Sequence, residues 1–127
     1  MKGVVITADF DVSIREFSSP LYISVGATVD GYIEHVNPMG LKSPLCMIVN
    51  EEGLLRRLPL NPIASSLYGM EIHGQPIVGT AVIMKDGFTS EGPDIVGLSD
   101  EEAEQLYKLF SEIAETHKRA VCAVREE

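Results

Sequence analysis

The chain has 127 residues, of which 45% are hydrophobic and 23% charged, a composition typical of one globular domain rather than a disordered or fibrous protein. Its net charge of −9 argues against general nucleic-acid binding, because neutralising phosphates requires clustered Lys and Arg. No apolar run approaches the roughly 20 residues that cross a bilayer, and Asp9 and Asp11 come too early for a signal peptide. We therefore expect one soluble cytoplasmic domain over residues 1–127, without a membrane partner.

Both cysteines stand in apolar runs, Cys46 in LCMIV and Cys122 in AVCAV. Cysteine is among the residue types most often buried, and a domain of this size needs no disulfide to be stable. We expect two reduced core thiols, which fits the reducing cytoplasm.

The first 30 residues predict a β-hairpin followed by a short helix. The continuous β-branched run at residues 2–8 is typical of a strand covered on both faces, and residues 12–17 alternate like an antiparallel partner with one wet face. Within residues 18–30, Ser19 and Pro20 favour a helix start, whereas the β-branched residues favour a strand. We expect one or two helical turns there.

Residues 31–55 predict two further strands and a turn between strands. GYIEHV alternates and is stopped by Asn37-Pro38, and residues 45–49 form a buried strand. The segment NEEG then predicts a turn in which Gly53 takes a positive φ, and Leu54 begins the next segment. We expect a meander of strands.

The middle of the chain predicts a short capped helix and another strand. NPIASSLYG at residues 61–69 has Asn61 as N-cap, Pro62 at the first helical position and Gly69 as C-terminal stop. Residues 77–84 are a nearly continuous apolar strand, in which Gly79 indicates a bulge or a close backbone approach.

The C-terminal part predicts a long amphipathic helix. Ser99 and Glu102 have the spacing of a capping box, and AVCAV at the end extends the helix, adds an edge strand or frays. The face expected to pack on the sheet comprises Ala103, Leu106, Tyr107, Phe110, Ile113, Ala114 and His117. Together the elements predict an α+β domain: an antiparallel or mixed sheet of about five or six strands, a short middle helix and a long C-terminal helix packed on one face.

Four segments in this order, GYIE, MIVNEEG, LPLNPIA and HGQPIVGTAVI, resemble a family of small domains of unknown function. Bacteriophages, mobile elements and the bacteria that carry them encode its members. The resemblance covers residues 2–117 and departs before the YIE strand, where the family usually has a double glycine and this chain has Val29-Asp30-Gly31. It implies a fold and a genomic setting, and it carries no catalytic residue, metal or cofactor.

The leading hypothesis is therefore a non-enzymatic binding or modulator protein that acts on a host protein or a small ligand. Tyr32 and Tyr68 are candidates to line a pocket where Gly79 lets a ligand approach the backbone, and core packing is the alternative for both. His73 is the histidine expected to be most exposed. The three histidines are too far apart in the sequence to form a metal-ligand motif.

A second hypothesis is a binder of small anionic ligands such as nucleotides. The helix that begins at Asn61 offers backbone N–H groups and the positive end of its dipole. Arg56 and Arg57 lie a few residues upstream and can pair with an anion. The alternatives are that Asn61 only caps the helix and that the arginines balance Glu51 and Glu52.

A third hypothesis is an enzyme whose carboxylates converge, among them Glu34, Glu51 and Asp94. Close carboxylates acquire different pKa values, which acid–base chemistry uses. Glu34 and His35 are adjacent on a strand and must point to opposite faces, so they cannot form a tight pair. An unpaired strand edge at the first hairpin or at AVCAV would be covered in a homodimer.

Overall fold

The computed structural model describes residues 1–126, with side chains described through residue 119. This part of the chain confirms the predicted α+β class, with six strands, a short middle helix and a long C-terminal helix. In chain order the elements are β1 (Lys2–Ile6), β2 (Val12–Glu16), α1 (Leu21–Val29), β3 (Ile33–Val36), β4 (Leu45–Asn50), α2 (Pro62–Tyr68), α3 (Met70–His73), β5 (Ala81–Thr89), β6 (Gly92–Val96) and α4 (Asp100–Glu126).

The six strands form one antiparallel sheet with β5 at its centre. The order is β2-β1-β5-β4-β3, and β6 also pairs with β5. β1 contacts residues 81–83 of β5 and β6 contacts residues 85–89, so the two strands follow each other along one side of β5 while β4 occupies the other. β2 and β3 therefore lie at the two ends of the sheet.

Each face of the sheet carries its own hydrophobic core. On the face that we call the α4 face, the strands pack against α2 and α4 through Val4, Ile6, Met47, Val49, Ile63, Leu67, Ile83 and Phe110. On the opposite face, the α1 face, the strands pack against α1 through Val5, Val25, Val29, Cys46, Ile48, Val82 and Met84. Two buried faces explain why β1 reads as a continuous apolar run: Val4, Val5 and Ile6 have no exposed surface.

The buried side chain of Asn61 ties three parts of the chain together. Its Nδ2 donates to the carbonyl oxygens of Ile6 and Gly79, each at 2.9 Å, and its Oδ1 accepts from the N–H of Ala64 at 3.1 Å. Ser65, one turn further, donates through Oγ to the carbonyl oxygen of Ile77 and accepts from the N–H of the same residue. α2 is thus fixed to the end of β1 and to the segment before β5.

Several local predictions are confirmed by these contacts. α2 begins after the Asn61 cap with Pro62 in its first turn and ends at Gly69. The capping box of α4 is present, since Glu102 accepts from the N–H of Ser99 at 2.8 Å and the Ser99 hydroxyl accepts from the N–H of Glu102 at 3.1 Å. Residues 18–30 contain the expected helix, although its N-cap is Pro20 and not Ser19. Cys46 is a buried free thiol as predicted, while the Cys122 side chain lies outside the described ones.

The predicted meander after β4 is wrong. Residues 51–57 form consecutive turns instead of leading into a strand, and it is Arg57, with φ of 55°, that takes the left-handed conformation in this segment. Gly53 is needed for space, because a Cβ there would lie 2.8 Å from Cγ2 of Val78. The strand predicted at residues 77–84 is also displaced, because β5 begins at Ala81 and runs to Thr89. β6 was not predicted.

The Asn61→Ala substitution should lower the free energy of unfolding by about 2–4 kcal/mol, because it leaves buried backbone carbonyls without a donor. Urea unfolding followed by circular dichroism measures this. Asn37→Ala is the control, since Asn37 is exposed and should change stability by less than about 0.5 kcal/mol. A loss for Asn61→Ala that is no larger than the control's would contradict the role of this side chain.

The pair of Lys85 and Glu102 predicts a pH dependence of stability. The hydrogen bond from Lys85, aided by the backbone N–H of Ser99, lowers the pKa of Glu102 to about 2 from its ordinary value near 4.5. The stabilisation is therefore complete above pH 4.5 and is lost as the pH falls through about 2. Because the Glu102 side chain is 38% exposed, we expect a contribution of only about 1 kcal/mol.

Glu102→Gln should remove this contribution at pH 7 and flatten the loss of stability between pH 5 and 2. Urea unfolding at several pH values across that range measures the effect. Glu101→Gln, a neighbouring exposed position on α4, is the matched control. An equal acid dependence in the two variants would show that the ion pair adds nothing.

Candidate functional site

A cleft of about 400 Å³ lies on the α4 face, beside the terminal strand β3. β3 and β4 form its floor, the turn after β4 forms one wall, and the end of α2 with the segment before β5 forms the other. Its lining consists of Glu34, Val36, Val49, Asn50, Glu51, Gly53, Leu54, Leu55, Tyr68, Gln75, Pro76, Ile77 and Val78. We call this feature the β3 cleft.

The charged residues in the lining of the β3 cleft are two carboxylates, Glu34 and Glu51. Glu34 lies opposite Val49 in the β3–β4 ladder, and the N–H of Glu51 donates to the carbonyl oxygen of Tyr32 at 2.8 Å. That bond holds the turn after β4 against the start of β3. Both glutamates are exposed, so the cleft presents negative charge to solvent.

The wall after β4 is fixed by a buried asparagine. The Nδ2 of Asn50 donates to the carbonyl oxygens of Val29 and Asp30, each at 3.0 Å, and its Oδ1 accepts from the N–H of Glu52 at 2.8 Å. Asp30 takes a left-handed conformation with φ of 64° at the end of α1, which Asp tolerates better than most residues. Sequence reasoning read Asn50 only as part of a turn.

Arg56, Arg57 and Asn61, the residues of the anion-binding hypothesis, do not come together around a pocket. Arg56 donates to the carbonyl oxygen of Asp30 and forms an ion pair with its carboxylate at 2.9 Å. Asn61 has no exposed surface, and its side-chain atoms all bond to the backbone. Arg57 is exposed, and neither arginine lines the β3 cleft. Binding of an anion at α2 stays a prediction and gains no support from this arrangement.

The four remaining candidate residues have different surroundings. Tyr68 lines the β3 cleft, and its ring stacks on that of His73 with centroids 4.4 Å apart. Tyr32 is 74% exposed and lies outside the lining. Gly79 has φ of 76°, and a Cβ there would lie 2.8 Å from Cδ1 of Leu58, so the close approach predicted for it is made by a side chain of the protein.

The three carboxylates of the enzyme hypothesis do not share one pocket. Glu34 and Glu51 line the β3 cleft, whereas Asp94 lines a groove between β6 and the start of α1, together with Tyr22 and Ile33. The prediction that neighbours Glu34 and His35 point to opposite faces agrees with the sheet, since His35 contacts Asp86 instead.

A second group of ionisable side chains meets on the α1 face. His35 Nε2 lies 2.6 Å from Asp86 Oδ1, and the thiol of Cys46 completes a set whose ligand atoms all lie within 4.8 Å of one another. Burial raises the pKa of Cys46 to about 12, with the Asp86 carboxylate adding to the rise. A thiol with so high a pKa is a poor nucleophile at neutral pH. Sequence spacing gave no sign of this group, because its members are brought together by strand pairing.

Comparison with known proteins identifies a family. A search of the curated proteins and a search of the solved structures both find no match. Within residues 1–126, no helix has both the length and the apolar character that a membrane span needs. The family model described as "Domain of unknown function (DUF3846)" matches residues 1–111, from β1 into α4. The chain therefore belongs to this family of domains of unknown function.

Proposed function

We propose that this protein is a non-enzymatic binding protein that grips a positively charged, extended segment of a partner protein in the β3 cleft. The observation that carries the proposal is a cleft beside a terminal strand whose charged lining residues, Glu34 and Glu51, are both acidic. Lysine or arginine side chains of the partner would pair with these carboxylates.

The strand edge supplies the backbone half of such an interaction. β3 pairs with β4 on one side, and in the described part of the chain its other side pairs with no strand. An unpaired edge presents backbone N–H and C=O groups that an extended peptide can bond by adding a strand. Alternate side chains of the added strand would then point into the β3 cleft.

Apolar and long-range electrostatic features favour the same kind of partner. Leu54 and Leu55 line the cleft and are 54% and 85% exposed, so they offer apolar contact area at its rim. The net charge of −9 attracts a basic segment from a distance and speeds its association. The same charge and the acidic lining disfavour the nucleotide alternative.

The biological setting in this proposal follows from the resemblance to domains encoded by bacteriophages and mobile elements. In that setting the partner is a host protein, and binding to its basic segment modulates a host process. Carboxylate-based catalysis is disfavoured because Asp94 lies in a different groove from Glu34 and Glu51.

Synthetic peptides test the proposal. A ten-residue peptide of alternating Lys and Val should bind by fluorescence anisotropy, a Glu–Val peptide should not, and small amines such as spermidine should bind more weakly than the Lys–Val peptide. The double variant Glu34→Gln/Glu51→Gln should weaken peptide binding by about tenfold or more, since each pair at an interface rim contributes on the order of 1 kcal/mol.

The double variant Glu91→Gln/Glu112→Gln is the matched control, because it removes the same charge from exposed positions outside the cleft. It should bind almost normally. N-methylation of alternate peptide residues should also weaken binding if a strand is added to β3. Absence of binding, or equal losses in the two double variants, would overturn the proposal.

A further inference from the structure

Three side chains with metal-ligating atoms stand on three neighbouring strands of one sheet face. His35 is opposite Ile48 in the β3–β4 ladder, and Cys46 is opposite Met84 in the β4–β5 ladder. Because strand residues two apart share a face, His35, Cys46 and Asp86 all project to the α1 face. Strand pairing thus places residues 35, 46 and 86 side by side.

The chemistry and the spacing of these atoms match one metal ion. Imidazole nitrogen, thiolate sulfur and carboxylate oxygen are the three ligand types that Zn²⁺ uses in proteins. Ligand atoms of a tetrahedral zinc, at about 2.0–2.3 Å from the ion, lie about 3.5 Å from one another. The atoms of His35, Cys46 and Asp86 lie within 4.8 Å of one another, and the His35–Asp86 separation of 2.6 Å needs to open only slightly.

The three side chains differ in burial: Cys46 is fully buried, whereas His35 and Asp86 are partly exposed to solvent. Cys46 has no exposed surface and is packed among the apolar residues of the α1 face, so its sulfur is held in place. The side chains of His35 and Asp86 are 37% and 45% exposed, and they can rotate to admit an ion from solvent. Binding would release the proton of the Cys46 thiol to solvent, and a divalent ion would balance the negative charges of the resulting thiolate and of the Asp86 carboxylate.

We propose that His35, Cys46 and Asp86 form a three-residue binding site for Zn²⁺, with the fourth tetrahedral position left to water or an external ligand. The site is independent of the proposed peptide-binding function, because it lies on the α1 face and the β3 cleft lies on the α4 face.

Isothermal titration of chelator-treated protein with zinc chloride tests the site. We expect one ion per chain with a Kd below about 1 μM. Co²⁺ in place of Zn²⁺ should give a thiolate-to-cobalt charge-transfer absorption, which reports sulfur ligation directly.

Variants at the exposed ligands decide the assignment without disturbing the core. His35→Ala and Asp86→Asn should each weaken zinc binding by at least about tenfold. Removing a residue that only orients a metal ligand already costs about tenfold or more, and these two variants remove ligands themselves. Cys46→Ala should remove the charge-transfer absorption, and circular dichroism checks that each variant is folded. Should Cys46→Ala fail to fold, the two exposed variants still decide.

Two controls separate this site from adventitious binding. His73→Ala removes an exposed histidine elsewhere, and Cys122→Ala removes the other thiol, so both should leave zinc affinity and the cobalt spectrum unchanged. Three results would each overturn the proposal. They are a zinc Kd that is not below about 1 μM, unchanged affinity in His35→Ala and Asp86→Asn, and loss of the cobalt absorption in Cys122→Ala.

Discussion

The side chain of Asn61 is the constraint on which the arrangement of this domain depends. Backbone groups in a protein interior must be paired, and here the carbonyl of Ile6, the last residue of β1, and the carbonyl of Gly79 both accept from Nδ2 of Asn61. Asn61 supplies both donors from a fully buried position and at the same time caps α2. One residue therefore joins the end of β1 to the segment before β5 and starts the helix.

Two sets of side-chain-to-backbone hydrogen bonds hold the walls of the β3 cleft in place. The Asn61 and Ser65 bonds hold α2 and residues 77–79, which carry one wall. The bonds from Asn50 hold the turn after β4 to the end of α1 and so fix the other wall. Because buried side chains make both sets of hydrogen bonds, the cleft is a preformed feature, and a ligand would not have to order it.

The sheet separates two kinds of chemistry. Its α4 face ends at β3 in an acidic cleft beside an open strand edge, which suits a basic extended segment. Its α1 face brings a histidine, a cysteine and an aspartate together, which suits a soft divalent metal. Alternation along β3 puts the two proposed sites on opposite faces of the sheet: Glu34 belongs to one face and His35 to the other.

The sequence by itself determined the elements whose signals are local. The Asn61-Pro62 start of α2, the Ser99–Glu102 capping box and the buried run of β1 depend on neighbouring residues and were read correctly. The tertiary structure alone decided the segment after Gly53 and the sites, because these depend on contacts between distant residues. β6 pairs with the end of β5 across a two-residue turn and escaped prediction because Gly92, Pro93 and Asp94 are poor strand formers. No spacing rule relates residues 35, 46 and 86, and the interaction of Arg56 with Asp30 likewise exists only because the turn after β4 packs against the end of α1.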